Sequence, residues 1–385
     1  MTPTIVFVSH EASLTGAPIL LLNIVTWLKE HSKYELIVVL GKDGPLRRRF
    51  ECVANVINYF VVPPYWMRVA GMRRIFSIEA YQEAHYRKSM KGKDVRAIFS
   101  NTIANGTLVN KIVELNTPVI TYVHELQFTI QMQMLFHGDI SLAISRTDFF
   151  LAGSNAVRKN LIDMGVVPSI IEVAFSSIPI EELNTKLMSI DKASERNELG
   201  IVGDNQFLVA VGTASWRKGS DLFIQLANKL STLRPSLQFA WVGVDKGSIE
   251  YLQMSYEVNQ YNLSNRFHLI PVSADYLKYI AMADVFALTS REDPFPLVVL
   301  EAGLAGKPIV CFENAGGAAE FVSDKNGSVV PYGDIDAMAR EIILLLDNDY
   351  LRNYKGKNAR NQVCECHSIP VVVAQIMQII ERYID

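Results

Sequence analysis

Two acids separated by seven residues, Asp293 and Glu301, are the most informative pair in the chain. Asp293 lies in Ser290-Arg291-Glu292-Asp293-Pro294-Phe295-Pro296, which reads as a loop holding two prolines. Glu301 lies in a helical run among Leu297, Val298, Leu300, Ala302 and Leu304. A carboxylate in such company is rarely buried without a partner. The vicinal hydroxyls of a ribose are suitable donors for it, and Asp293 can accept hydrogen bonds from a sugar hydroxyl. The competing reading is structural, with Asp293 capping the helix and Glu301 in a salt bridge.

A second constellation is Gly212-Thr213-Ala214-Ser215-Trp216-Arg217-Lys218-Gly219. Its Lys-Gly order excludes a Walker A loop, which needs Gly-Lys-[Ser/Thr]. Two adjacent cations after a strand still suit a phosphate, Lys218 as a point charge and Arg217 as a fork. Cations at a helix start are unfavourable unless an anion is present, which favours a ligand over a solvated helix end. Near the N-terminus, Ser9 to Pro18 reads as a loop between strand and helix, with Gly16 allowing a tight turn and Pro18 suited to the first helical position. Such a helix start offers N–H groups to a diphosphate, although no GxGxxG is present. His124 ends a strand, where a polar contact or a proton role competes with a structural one. Gly316-Gly317 up to Glu320 is either a plain turn or a close approach to ligand. Cys364-Glu365-Cys366-His367 lacks the second pair a zinc site needs and reads as a helix end.

These residues need a frame that gathers strand ends. Ile5–Val8, Leu36–Leu40, Val56–Val62, Ala97–Phe99, Val119–Val123 and Phe149–Ala152 read as buried strands, with a helix carrying Leu14, Leu21, Leu22, Val25 and Leu28. The pattern restarts at Phe207–Val211, Phe239–Val242, Phe267–Ile270, Val285–Leu288 and Ile309–Cys311, with helices at Asp221–Leu230, Leu297–Leu304 and Ile335–Leu346. Alternation of this kind implies doubly wound parallel sheets. The charged stretch Ser176–Asn205 holds the connection, near Ser176–Pro179, between two domains, 1–176 and 177–367, and the helix within 368–385 can pack back on the first. Ligands of such sheets bind at the carboxyl ends of the strands.

Composition narrows the class. The 385 residues are 49% apolar and 20% charged, which excludes a disordered chain. Thirty-seven Lys and Arg against 40 Asp and Glu argue against a nucleic-acid binder. Four cysteines make no disulfide framework, no window is apolar enough to span a membrane, and no leader pattern opens the chain, so the expected location is cytoplasmic. One asymmetry survives: between Lys42 and Arg96, twelve cations face five acids, with Tyr65-Trp66-Met67 and Ile75-Phe76 among them. That mixture suits an anionic membrane surface or an anionic acceptor, or is simply a solvated face.

Together these segments resemble the retaining glycosyltransferases of family 4 (glycosyl transferases group 1), most clearly from Phe207 to Pro331. The resemblance implies the α/β GT-B architecture, two Rossmann-like domains facing across a cleft. It implies a hexosyltransferase-type enzyme that moves a sugar from a UDP- or GDP-linked donor to a glycan or lipid-linked acceptor, without metal or other cofactor. A non-catalytic nucleotide-sugar-binding subunit is the alternative. By resemblance, Glu301 holds the ribose, Lys218 and Arg217 the diphosphate, and the backbone of Phe295, Pro296 and Leu297 the donor sugar. Gly16 lies at the N-terminal loop, and His124, Lys218 and Asp293 form the catalytic set. Two departures stand out: the first acid is Asp293 where the family has Glu, and Gly212-Thr213 replaces Gly-Arg.

Overall fold

Runs of Val, Ile and Phe pair into two parallel sheets, one in each of two units. The computed structural model describes residues 2–62, 77–114, 116–137 and 140–384. The first unit joins Met1–Phe175 to Ile369–Asp385, and the second is Ser176–Ser368.

The first sheet has seven strands: β1 (Pro3–Glu11), β2 (Glu35–Lys42), β3 (Asn55–Asn58), β4 (Asp94–Ser100), β5 (Val119–Val123), β6 (Phe149–Ala152) and β7 (Ile171–Val173). Their order is β3-β2-β1-β4-β5-β6-β7. The second has β8 (Phe207–Val211), β9 (Gln238–Val242), β10 (Phe267–Ile270), β11 (Val285–Leu288), β12 (Ile309–Phe312) and β13 (Gly327–Val330), in the order β10-β9-β8-β11-β12-β13. The order reverses between β1 and β4 in one sheet and between β8 and β11 in the other. Loops leaving the two strands at such a point diverge and open a crevice.

Strands buried on both faces explain the unbroken apolar runs; all of Val119–Val123 is buried. The helix Gly16–His31 buries Leu21, Val25 and Leu28 against this sheet. The helix Ile369–Ile384 adds Val373, Ile376 and Ile380, each 0% exposed, to the same core. The chain therefore crosses between units twice. The crossings run side by side, with the Ile178 N–H donating to the His367 carbonyl at 3.0 Å.

Several sequence expectations need correction. β1 runs on to Glu11, so Ser9 and His10 are strand residues, and Pro18 is the third residue of a helix that starts at Gly16. Leu14 is outside that helix and 61% exposed. β3 stops at Asn58; the apolar run goes on because Tyr59 packs against Tyr86, 5.9 Å between rings. The edge strands β7 and β13, of three and four residues, are too short to show a pattern. Past the unit boundary at Phe175/Ser176, where the connection is expected, the charged stretch holds the surface helices Ile180–Ser189 and Lys192–Glu198.

Candidate functional site

The loop after β8 and the loop after β11 leave the switch point of the second sheet and are laced together. Gly219 has φ 69°, and a Cβ there would lie 1.9 Å from the Thr289 carbonyl oxygen, so only glycine allows this approach. The Thr289 hydroxyl donates to the Gly219 carbonyl at 2.8 Å, and the Arg291 N–H donates to the Arg217 carbonyl at 2.8 Å. Arg291 grips both carboxylate oxygens of Asp221, at 2.7 and 2.6 Å, and its guanidinium lies 5.0 Å from the Trp216 ring.

This lacing brings the predicted residues together. The Lys218 ammonium donates to Asp293 Oδ2 at 2.5 Å. Ser290 donates to the same oxygen at 3.3 Å. Arg217 Nη1 is 4.0 Å from Asp293 Oδ1 and donates to the Glu292 carbonyl at 2.8 Å. Asp293 is 5% exposed and is not a helix cap. Its N–H donates to the Ala315 carbonyl at 2.7 Å, and its carbonyl accepts from Gly317 N–H at 3.0 Å. The Gly316-Gly317 turn, with Gly316 at φ 123°, thus buttresses the Asp293 loop; Glu320 lies in the short helix Ala318–Phe321 that follows.

Phe295 and Pro296 are buried, and the Phe295 ring stacks on His367 at 5.5 Å. Leu297 opens the helix Leu297–Leu304, whose start no side chain caps. One turn on, Glu301 is 6% exposed. Its Oε1 accepts from the Tyr276 hydroxyl at 2.6 Å, while its Oε2 is buried with no partner. Burial pushes this carboxyl up to about 7, although the Tyr276 hydrogen bond and the charge of Lys186 pull it down. The salt bridge that the structural reading of Glu301 required is absent among the described residues.

In the first unit, Gly16 is exposed and nothing lies within 4 Å of where its Cβ would be, so the helix start is open. The Asn101 amide, at the end of β4, donates to the Ala17 carbonyl at 2.7 Å across the switch point. His124 Nε2 is 3.4 Å from Asn101 Oδ1. Burial, and then the nearby His10, hold the His124 imidazole down to about 3. It is therefore neutral in ordinary buffers, suited to a hydrogen bond with a hydroxyl and not to giving up a proton. The adjacent Glu125 is tied inward by Thr102 and by the His124 N–H at 2.9 Å.

Among the described residues, no group of three or more His, Cys, Asp or Glu is placed to hold a metal ion. None of their helices is long and apolar enough to cross a membrane. In the basic stretch, Arg47, Arg87, Lys93 and Arg96 are engaged in ion pairs. Tyr65-Trp66-Met67, Ile75-Phe76, Arg68, Arg73 and Arg74 lie outside the described residues. Sequence reading missed Tyr276, Arg291 and Asp221; nothing in their spacing announces them.

Two parallel α/β units of this topology, matching solved glycosyltransferase structures, have the GT-B fold. The structure matches Anabaena Alr3699/HepE, solved with UDP and glucose, at a TM-score of 0.81 and 20% identity, over 98% of this chain and 99% of that one. It also matches WaaG, a glycosyltransferase involved in lipopolysaccharide biosynthesis, at a TM-score of 0.70 and 15% identity, over 98% and 99%. Residues 191–362, within the second unit, match the model of the family glycosyl transferases group 1. Among curated relatives, a Campylobacter jejuni N-acetylgalactosaminyltransferase named for a diphospho-undecaprenol-linked acceptor is 24% identical over 63% of this chain and 62% of its own length. An Escherichia coli UDP-Gal:alpha-D-GlcNAc-diphosphoundecaprenol alpha-1,3-galactosyltransferase is 26% identical over 51% and 50%. The chain thus aligns with between half and under two thirds of the length of these relatives.

Proposed function

We propose that the protein is a retaining, metal-independent glycosyltransferase that moves a sugar from a nucleoside-diphosphate sugar to a hydroxyl of a glycan or lipid-linked acceptor. The observation that carries this reading is the unpartnered, buried Glu301 Oε2 on the helix that follows the Lys218–Asp293 loop pair. A carboxylate oxygen kept dry without a donor awaits one, and a ribose hydroxyl supplies it. A diphosphate next to that ribose meets Lys218 and Arg217, the half-buried cations of the laced loops. The UDP-bound neighbour and the UDP-Gal relative support UDP as the first donor base to test.

In the reaction, the bond between the anomeric carbon and the β-phosphate oxygen breaks, and its electron pair stays on the diphosphate. The acceptor oxygen bonds to the same face of that carbon, and its proton passes to the departing phosphate oxygen. Lys218 and Arg217 stabilise the charge that develops on the phosphate. These groups supply what a metal ion otherwise provides. Asp293 holds Lys218 in place and presents its loop to the donor sugar, and the backbone of Phe295, Pro296 and Leu297 binds sugar hydroxyls.

A lipid-linked acceptor is supported by the helix Gln127–His137, which leaves Met132, Met134 and Leu135 exposed just beyond His124. The basic stretch 42–96 supports a cytoplasmic location at an anionic membrane face. The test is transfer from UDP- and GDP-sugars by purified protein in EDTA, with the anomeric configuration of the product read by proton NMR. Donor binding without transfer or hydrolysis would instead make the chain a binding subunit, and an inverted product would refute the mechanism.

A further inference from the structure

We propose that Tyr276 is a positioning residue for the nucleotide: its phenol holds Glu301 Oε1 so that Oε2 alone is presented, ionised, to a hydroxyl of the ligand. The inference rests on the reading of Glu301 as the ribose acceptor and adds a residue that the sequence did not mark.

Tyr276 stands at the start of the helix Leu277–Met282, and its hydroxyl is 2.6 Å from Glu301 Oε1. Among the described residues, this is the one hydrogen bond to the carboxylate. The other charged groups around it are committed elsewhere. On the helix Ile180–Ser189, Lys186 pairs with Glu182 at 2.7 Å, and from a distance these pull on Glu301 and Tyr276 respectively. On the helix Asp349–Cys366, Arg360 donates to the Leu304 carbonyl and to Asn184. β12 contributes only the buried Cys311 thiol, pushed up to about 12 by burial.

Burial, followed by the Glu301 charge, lifts the Tyr276 phenol far above its ordinary range, so it remains a donor at every working pH. A donor of this kind stabilises the carboxylate over the acid. Without it, the buried group would hold its proton to higher pH, and Oε2 would meet the ligand hydroxyl as a hydroxyl instead of an acceptor. With Oε1 occupied, the free oxygen also has a fixed direction, since a carboxylate bonded at one oxygen loses its freedom to rotate.

The test is UDP affinity by calorimetry from pH 6 to pH 9 for wild type and Tyr276→Phe, with the Glu301 titration read by carboxylate 13C NMR on the unliganded proteins. In wild type, affinity should fall as the pH drops below about 7. In Tyr276→Phe, the midpoint should move up. A rise of about one pH unit weakens UDP about fivefold at pH 7 and leaves it near wild type at pH 9. Tyr276→Gln, which returns a donor without the ring, should recover part of the loss at pH 7; a variant damaged only in packing should not. A loss in Tyr276→Phe that is equal at every pH, or an unmoved Glu301 midpoint, overturns the inference alone. UDP that binds Glu301→Gln as tightly as wild type overturns the ribose reading and this inference with it.

Discussion

Replacing Glu301 by glutamine should make the protein more stable in alkaline buffer relative to wild type, and unable to hold nucleotide. The carboxyl sits at about 7 in the folded chain against an ordinary value of 4.5. The folded state thus keeps its proton over a pH range in which the unfolded state has lost it. Stability from this group is complete below about pH 4.5, falls as the pH rises through about 7, and is flat beyond. At about 1.4 kcal/mol per pH unit, the loss is about 3 kcal/mol, undiminished by surface screening because the side chain is 6% exposed. Glutamine keeps an oxygen for the Tyr276 phenol but turns an amide N–H toward the place where Oε2 has no partner. A buried donor left unmade costs about 1–3 kcal/mol, independent of pH. The stability of Glu301→Gln minus that of wild type should therefore start negative near pH 4.5 and climb by about 3 kcal/mol by pH 8. Urea denaturation of both proteins at matched pH values measures this difference, in which all other titrating groups cancel. A difference that is constant with pH, or that falls, would refute the reasoning.

Other perturbations probe the remaining parts. Lys218→Met should lower turnover about 10²–10³-fold, as for loss of one charge-stabilising donor; near-wild-type steady-state rates would remove Lys218 from the mechanism. Gly219→Ala should cost about 2–4 kcal/mol through a left-handed backbone and the collision with the Thr289 carbonyl, seen as a lower urea midpoint. His124 should show no protonation between pH 5 and pH 8 in its ring NMR signals, because its titration lies near 3. Ile376→Ala should destabilise the first unit by about 2–5 kcal/mol in equilibrium unfolding, as expected for a fully buried side chain.

How far the sequence could be read depended on whether a signal was local. The buried strands and the helix Leu297–Leu304 were legible because an apolar run between turn residues has few other uses. Asp293 and Glu301 were legible because acids among apolar neighbours must answer to something. Lys218 was legible because a cation at a helix start needs an anion, and the structure supplies Asp293. What stayed hidden depends on the pairing of distant segments. Tyr276 meets Glu301 across 25 positions, and Arg291 meets Asp221 across 70. Gly219 reads as part of Lys-Gly, yet its reason is the carbonyl of Thr289 on another loop. Pro18 misled because proline is tolerated anywhere in a first turn, so it marked the region of the helix start and not its first residue.

The final helix gives the chain an order of assembly that runs against the direction of synthesis. The second unit is one continuous stretch, Ser176–Ser368, and can close as soon as it has left the ribosome. The first unit is begun earlier but finished later. The part of the Gly16–His31 apolar surface that the sheet leaves open waits for the 16 residues of Ile369–Ile384. A nascent chain therefore carries this earlier segment in its least protected state, and a stop codon just before Ile369 injures a unit begun long before it.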